Sequence, residues 1–441
     1  MQILPNAFGA DEDVMSDCPV VLLAGGKGTR LHELAQEECK PAVRLGNHAR
    51  IVDFSLCNAR NSGCRHIIAA TQYQPRTLHR RLTQFWRPIF ESKGGRVEVR
   101  YGPDVNGHPD GYVGTASAVT DNIDRIDALA PRDVLILAAD HVYRMDYRVM
   151  LQRHRRSDAD LTIAAAAVPI DTASAFGIID ADKDGKITDF LEKPDDPPAM
   201  RDDPSRAFAS MGIYIFRWKA LREALLRDRE REDSRHDFGF DVVPPFVDSG
   251  RAVVHQLDTP VQGVQPYWRD VGTLDAYLDA HLDLVHRAED NARLDREWPV
   301  LPAALGDFAQ RAGAAGGEWA PRGVSDAYVA SHSVIGRGAS ITGSAVMQGA
   351  VVGAGARISR CILAPGTVIE PGMVIGEDPQ EDARWFRRTE RGTVLVTPAM
   401  LLARRNNTPL SAATADQRGL GRTGAREAAD DRPSLAGQSR H

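Results

Sequence analysis

The chain has 441 residues, 43% hydrophobic and 26% charged, with a formal net charge of −6. It is an ordinary globular composition, long enough for two or three domains and a large core. The slightly acidic balance, with no Lys/Arg-rich face, excludes a nucleic-acid binder held by phosphate neutralisation, and no run of about eighteen apolar residues offers a membrane span.

Residues 1–17 contain Asp11, Glu12, Asp13 and Asp17 and no apolar core, so they read as an N-terminal extension rather than a secretory signal. The five cysteines, Cys18, Cys39, Cys57, Cys64 and Cys361, form no CxxC pair and leave one over, which fits buried thiols in a reducing, cytoplasmic compartment.

Residues 20–40, VVLLAGGKGTRLHELAQEECK, are an apolar strand that breaks into glycines and then basic residues. Gly25, Gly26 and Gly28 let the backbone approach phosphate oxygens, while Arg30 and Lys40 add positive charge. Lys27 is followed by Gly28, so this is no Walker A loop, and the third glycine of a dinucleotide fingerprint is missing.

Further on, 66–71, 134–138, 161–168, 212–216 and 253–257 read as strands, and 116–128, 147–156 and 274–286 as helices. Their alternation predicts an α/β catalytic domain over 18–287, with a Rossmann-like, mainly parallel sheet whose ligands sit beyond the carboxyl ends of its strands. Residues 288–322, rich in Pro, Gly and Ala, read as a linker. Over 323–403 a different rhythm begins. Val329, Ile335 and Ile341 are six apart, as are Val346, Val352 and Ile358, and then Ile362, Val368 and Val374, with glycines between. That predicts a hexapeptide-repeat parallel β-helix, each coil stacking its aliphatic residue on the next. Residues 404–441 lack Trp, Phe and Tyr and read as a disordered tail.

Asp140 follows the apolar run 134–138, well placed for Mg²⁺ opposite a phosphate loop; the alternative is a cap on a following helix. Asp270, in WRDVGT, offers a second carboxylate, since Thr273 is there to cap the next helix. Glu192 and Lys193 end the segment ITDFLEKP, where a lysine suits a second phosphate and a glutamate suits sugar hydroxyls; alone they would be a solvated ion pair. His141 and His236 lack HxH or HExxH spacing and read as structural.

With these residues in view, the chain from 20 to about 400 resembles the bacterial glucose-1-phosphate adenylyltransferases, also called ADP-glucose pyrophosphorylases. The resemblance rests on AGGKGTRL, KPAV, RIVDF, TQYQ, GTASA, AADHVY, SAFGI, EKP, ASMGIY, SRHDFG, YWRDVGT and EDAR in that order. It implies a left-handed β-helix after the catalytic domain, ATP and glucose 1-phosphate as substrates, Mg²⁺ as cofactor, and a homotetramer with small-molecule effectors. It also implies a phosphate loop at Gly25, Gly26, Gly28 and Arg30 with Lys40 beside it, and metal aspartates at Asp140 and Asp270. The sugar phosphate would fall to Lys193, with Glu192, Gly177, Ser210, Tyr112 and Gly114 around sugar and nucleotide, and Gln72 linking substrate and effector sites. Three departures stand out. Glu37 and Glu38 replace the basic residues of members activated by fructose 1,6-bisphosphate, 398–402 replaces their basic C-terminal stretch, and Gly111-Tyr112-Val113 replaces Trp-Tyr-Arg. Competing readings are a nucleotidylyltransferase for another base or sugar, a poorly active regulatory subunit, and a hexapeptide acyltransferase built on His332.

Overall fold

The computed structural model describes residues 14–26, 28–36, 38–73, 75–300 and 323–410. Residues 1–13, Lys27, Glu37, most of the expected linker and the tail past 410 lie outside them. The chain divides into two compact units, residues up to 320 with 328–331, and 321–327 with 332 onward.

The first unit is built on a nine-stranded sheet. Its strands are β1 (Val20–Ala24), β2 (His66–Thr71), β3 (Arg96–Tyr101), β4 (Asp133–Ala138), and, after a short β5 (His141–Tyr143) outside it, β6 (Leu161–Pro169), β7 (Gly177–Ala181), β8 (Ile187–Glu192), β9 (Arg206–Arg217) and β10 (Ala252–Gln256). The path runs β8-β7-β9-β4-β1-β2-β3, with β6 joining β9 to β10. β1 lies parallel to both β2 and β4, and β2 to β3; β9 runs antiparallel to β4, β6 and β7. Val20, Val21, Leu22 and Val134 to Leu137 are fully buried, the continuous apolar reading of strands covered on both faces. Because β1 and β4 are parallel neighbours, the loops after Ala24 and Ala138 leave the sheet side by side.

The helices α1 (Ile51–Asn61), α2 (Thr115–Thr120), α3 (Ile123–Asp127), α4 (Tyr147–Arg156), α5 (Trp218–Arg229) and α6 (Leu274–His286) match the sequence reading where it made one, with one break. The helix expected over 116–128 is two, because Asn122 Nδ2 donates to Ala118 O at 2.8 Å and so competes with the backbone ladder. The expected linker instead opens as helix α7 (Ala288–Glu297), in which Leu294 alone is buried. A helix with one buried residue shows no apolar stripe to read.

The second unit is the parallel β-helix. Val334 pairs with Val351 and Val351 with Val368, while Ile341 pairs with Ile358 and Ile358 with Ile375, so each coil is 17 residues. Inward positions step through Ile341, Val346, Val352, Ile358, Leu363, Ile369 and Ile375, all almost fully buried. The last two positions of the expected third triplet are therefore one residue out: Val368 and Val374 face solvent at 50% and 38% exposure, and Ile369 and Ile375 face inward, while Ile362 is buried. A one-residue slip exchanges the faces of a strand. The segment 398–402 lies within a closing helix, α8 (Pro398–Arg405).

Candidate active site

The turn after β1 enters a short 3-10 helix, Thr29–Ala35, whose N-cap is Gly28 at φ +69°. A Cβ there would lie 2.9 Å from Lys40 Cβ, so both the left-handed backbone and the close approach require glycine. Lys40 thus backs the glycine loop, as expected, but its ammonium reaches farther. Lys40 Nζ donates to Asp140 Oδ2 at 2.8 Å and to Asp270 Oδ1 at 2.7 Å.

Asp140 sits in the bend between β4 and β5, and a strand follows it, so no helix is there for it to cap. Asp270 ends β11 (Trp268–Asp270), whose antiparallel pairing with β5 sets Asp270 opposite His141. Thr273 caps α6 by accepting from Ala276 N at 3.2 Å, which leaves Asp270 to the cluster. Arg30 comes to the same place, since a Cβ on Gly272 would lie 2.9 Å from Arg30 Nη2 and 3.1 Å from the Asp270 oxygens.

Electrostatics bind these groups together. Burial pushes the Asp140 carboxyl up, but the His141 ring, when protonated, and the Lys40 ammonium outweigh it and hold it well below the usual carboxylate range. Burial disfavours the Lys40 charge, and the two carboxylates more than restore it, so its pKa rises. A cation between two carboxylates is the local rule, and Lys40 supplies one. Ligand atoms of Asp140, His141 and Asp270 also lie within 4.8 Å of one another. The donor set therefore fits a divalent ion.

His141 was not expected in this cluster. Its Nδ1 lies 3.0 Å from Met211 O, and its Nε2 lies 3.5 Å from Asp140 Oδ1. The pairing of β5 with β11, invisible in motif spacing, brings it there. Trp268 was also missed. Its ring meets His141 at 5.2 Å and Phe176 at 5.3 Å, and its Nε1 is buried without a hydrogen-bond partner.

Through Phe176 the aromatic line reaches the second group of expected residues. Phe176 O accepts from Lys193 N, and Gly177 follows it. Glu192 is cradled between two glycines, its Oε2 lying 2.8 Å from where a Gly177 Cβ would stand and 2.7 Å from a Gly239 Cβ. Lys193 Nζ donates to Glu192 Oε1 at 2.6 Å while 61% exposed, the ion pair weighed from sequence. Ser210 lies on β9, its Oγ accepting from Gly212 N at 3.4 Å, and Tyr214 on the same strand stacks on Phe238 at 5.5 Å.

The third group gathers at the nucleotide loop. A Cβ on Gly114 would lie 2.3 Å from His236 O, so GTASA and SRHDFG meet by backbone. Thr115 Oγ1 fastens them by donating to Asp237 Oδ2 at 2.9 Å. His236 Nδ1 lies 2.9 Å from Asp228 Oδ2. Gln72 touches the glycine loop, 3.3 Å from where a Gly25 Cβ would be, and its Nε2 donates to Asp110 O and to Tyr112 O at 3.0 Å. The Tyr112 side chain is buried, accepts from Asn122 at 3.1 Å and donates to Arg100 O at 3.2 Å. Gly26 is exposed, open to a ligand.

All five cysteines are free and buried, as expected, and no helix among the described residues is long and apolar enough to cross a membrane.

The Nucleotidyl transferase family model matches residues 19–287, and the GlmU-like C-terminal hexapeptide model matches 316–396. The chain is 42% identical over 400 residues to the glucose-1-phosphate adenylyltransferase of Jannaschia sp., covering 87% of this chain and 96% of that one. The enzyme of the same name from Cereibacter sphaeroides is 41% identical over 418 residues, covering 88% and 96%. That from Agrobacterium fabrum is 39% identical over 408 residues, covering 87% and 96%.

Proposed function

Since the chain belongs to the glucose-1-phosphate adenylyltransferases, we propose that it joins ATP and α-D-glucose 1-phosphate into ADP-glucose and diphosphate, supplying activated glucose for glycogen. The observation that carries the reading is the meeting of Lys40, Asp140 and Asp270 at 2.7 and 2.8 Å beside the glycine loop.

In the proposed mechanism a phosphate oxygen of glucose 1-phosphate attacks the α-phosphorus of ATP in line. The new O–P bond forms as the α–β bridging bond breaks, and diphosphate leaves with its electron pair. No covalent enzyme intermediate is needed, so the protein's work is positioning and charge balance. Backbone N–H groups of Gly25, Gly26 and Gly28 cradle the triphosphate, with Arg30 against it. Lys193 takes the sugar phosphate, and Glu192, in its glycine cradle, accepts from sugar hydroxyls. Asp140 and Asp270 would hold Mg²⁺, which supplies positive charge where phosphate charge is rearranged. Lys40 keeps the two carboxylates converged, its ammonium 2.7 and 2.8 Å from them.

Tyr112 acts through its carbonyl, as a grip for Gln72. We assign the protein to the cytoplasm, which free, buried cysteines support, and to a homotetramer on family likeness. Nucleotide choice tests the reading: ATP should give sugar nucleotide with glucose 1-phosphate far faster than UTP, GTP or dTTP, and preference for another base would replace the adenylyl reading.

A further inference from the structure

We propose that His141 is a third protein ligand of the divalent cation at Asp140 and Asp270, bonding through Nε2, and that this nitrogen makes the site hold Mn²⁺ more tightly than Mg²⁺. The inference rests on the metal reading above and goes beyond it in ligand set and ion preference.

The tautomer is set by the fold. His141 Nδ1 lies 3.0 Å from Met211 O, and a carbonyl only accepts, so Nδ1 carries the proton and Nε2 keeps its lone pair in the neutral ring. Met211 falls in the register break of β9 between Ser210 and Tyr214, where its carbonyl turns to the ring. A carbonyl behind an imidazole is the arrangement by which proteins orient metal-binding histidines. The ring is also held from the side, edge to face with Trp268 at 5.2 Å and 75°.

Nε2 has work left to do. It stands 3.5 Å from Asp140 Oδ1 and 3.9 Å from Asp270 Oδ1, too far for a good hydrogen bond to either. Two atoms each about 2.1 Å from one ion can be up to about 4.2 Å apart, so both separations suit a shared cation. Mg²⁺ prefers oxygen donors, whereas imidazole favours transition ions. Two carboxylates and one imidazole thus tilt the site toward Mn²⁺. Entry of the ion displaces the Lys40 ammonium, which now lies 2.7 and 2.8 Å from the same carboxylates.

The test is pulsed electron paramagnetic resonance of Mn²⁺ added alone to the full-length protein, with titrations of Mn²⁺ and Mg²⁺. His141→Asn can still donate to Met211 O while losing the ligand nitrogen, and Asp140→Asn removes a carboxylate. The wild type should show ¹⁴N modulation from a directly bound imidazole. His141→Asn should lose that modulation and bind Mn²⁺ about tenfold or more weakly, with a smaller change for Mg²⁺. Mn²⁺ bound in the wild type without ¹⁴N modulation overturns the proposal and leaves the carboxylate site standing. Mn²⁺ binding indifferent to Asp140→Asn, or no binding at all, overturns the metal reading and this inference with it.

Discussion

Lys40 Nζ stands 2.7 Å from Asp270 Oδ1 across 230 residues of sequence. The same ammonium holds Asp140 at 2.8 Å, so one lysine joins the glycine loop to both acidic strand ends. Lys40→Met would remove the ammonium that bridges the two carboxylates. We predict that its melting temperature falls in metal-free buffer and that Mg²⁺ or Mn²⁺ raises it more than in the wild type, because the ion no longer competes with an ammonium. Equal metal-induced shifts in both proteins would show that Lys40 and the ion occupy different places.

Lys193→Ala should raise KM for glucose 1-phosphate at least about tenfold, the loss of about 1.4 kcal/mol of charge-assisted binding, with little change in KM for ATP. The lysine is mostly exposed and pairs with Glu192, so its removal costs the fold little. Equal effects on both substrates would contradict a sugar-phosphate role.

His281 gives the first unit an acid limit. It is fully buried, its Nε2 accepts from Gly46 N at 3.2 Å, and its Nδ1 lies 2.9 Å from Tyr277 O, so the fold holds the neutral ring. Burial pushes its pKa down to about 4 against 6.5 in the unfolded chain. Protons therefore bind the unfolded state first as pH falls. The stability is whole above pH 6.5 and declines between there and pH 4, by up to about 3 kcal/mol for this residue. Unfolding free energies at pH 7.5 and 4.5 should differ more for the wild type than for His281→Gln. The same pH dependence in both would sink the assignment.

Fructose 1,6-bisphosphate should activate weakly or not at all. Arg50 Nη1 donates to both Glu38 oxygens, at 2.9 and 3.1 Å, so an internal carboxylate already holds this guanidinium; Glu37 is outside the described residues. A bisphosphate would have to displace Glu38 and meet its charge in place of a cation. Initial rates at subsaturating ATP decide it, and strong, saturable activation at micromolar bisphosphate would contradict the reading.

What the sequence discloses here follows from how local each signal is. The strand, glycines and basic residues of 20–40 are contiguous, and Asp140 follows an apolar run, so both could be read directly. Asp270 could be read because Thr273 explains the following cap. His141 and Trp268 could not, since their role depends on β5 pairing with β11, a contact between distant segments. The burial of Tyr112 could not be read, because Asn122 and Arg100 reach its hydroxyl from other elements. In the β-helix the period was legible, but a four-residue step in place of five at 358–363 turned the last coil inside out. The helix over 288–297 left no trace because it buries only Leu294.

The most direct test of the account is diphosphate release by the purified full-length protein, followed with ATP, glucose 1-phosphate and Mg²⁺ each omitted in turn, beside Asp140→Asn. We predict release only when all three are present, one ADP-glucose formed per diphosphate, and a rate roughly 10² to 10⁴ lower in the folded variant. Diphosphate release from ATP without glucose 1-phosphate, or an Asp140→Asn protein as fast as the wild type, would contradict it.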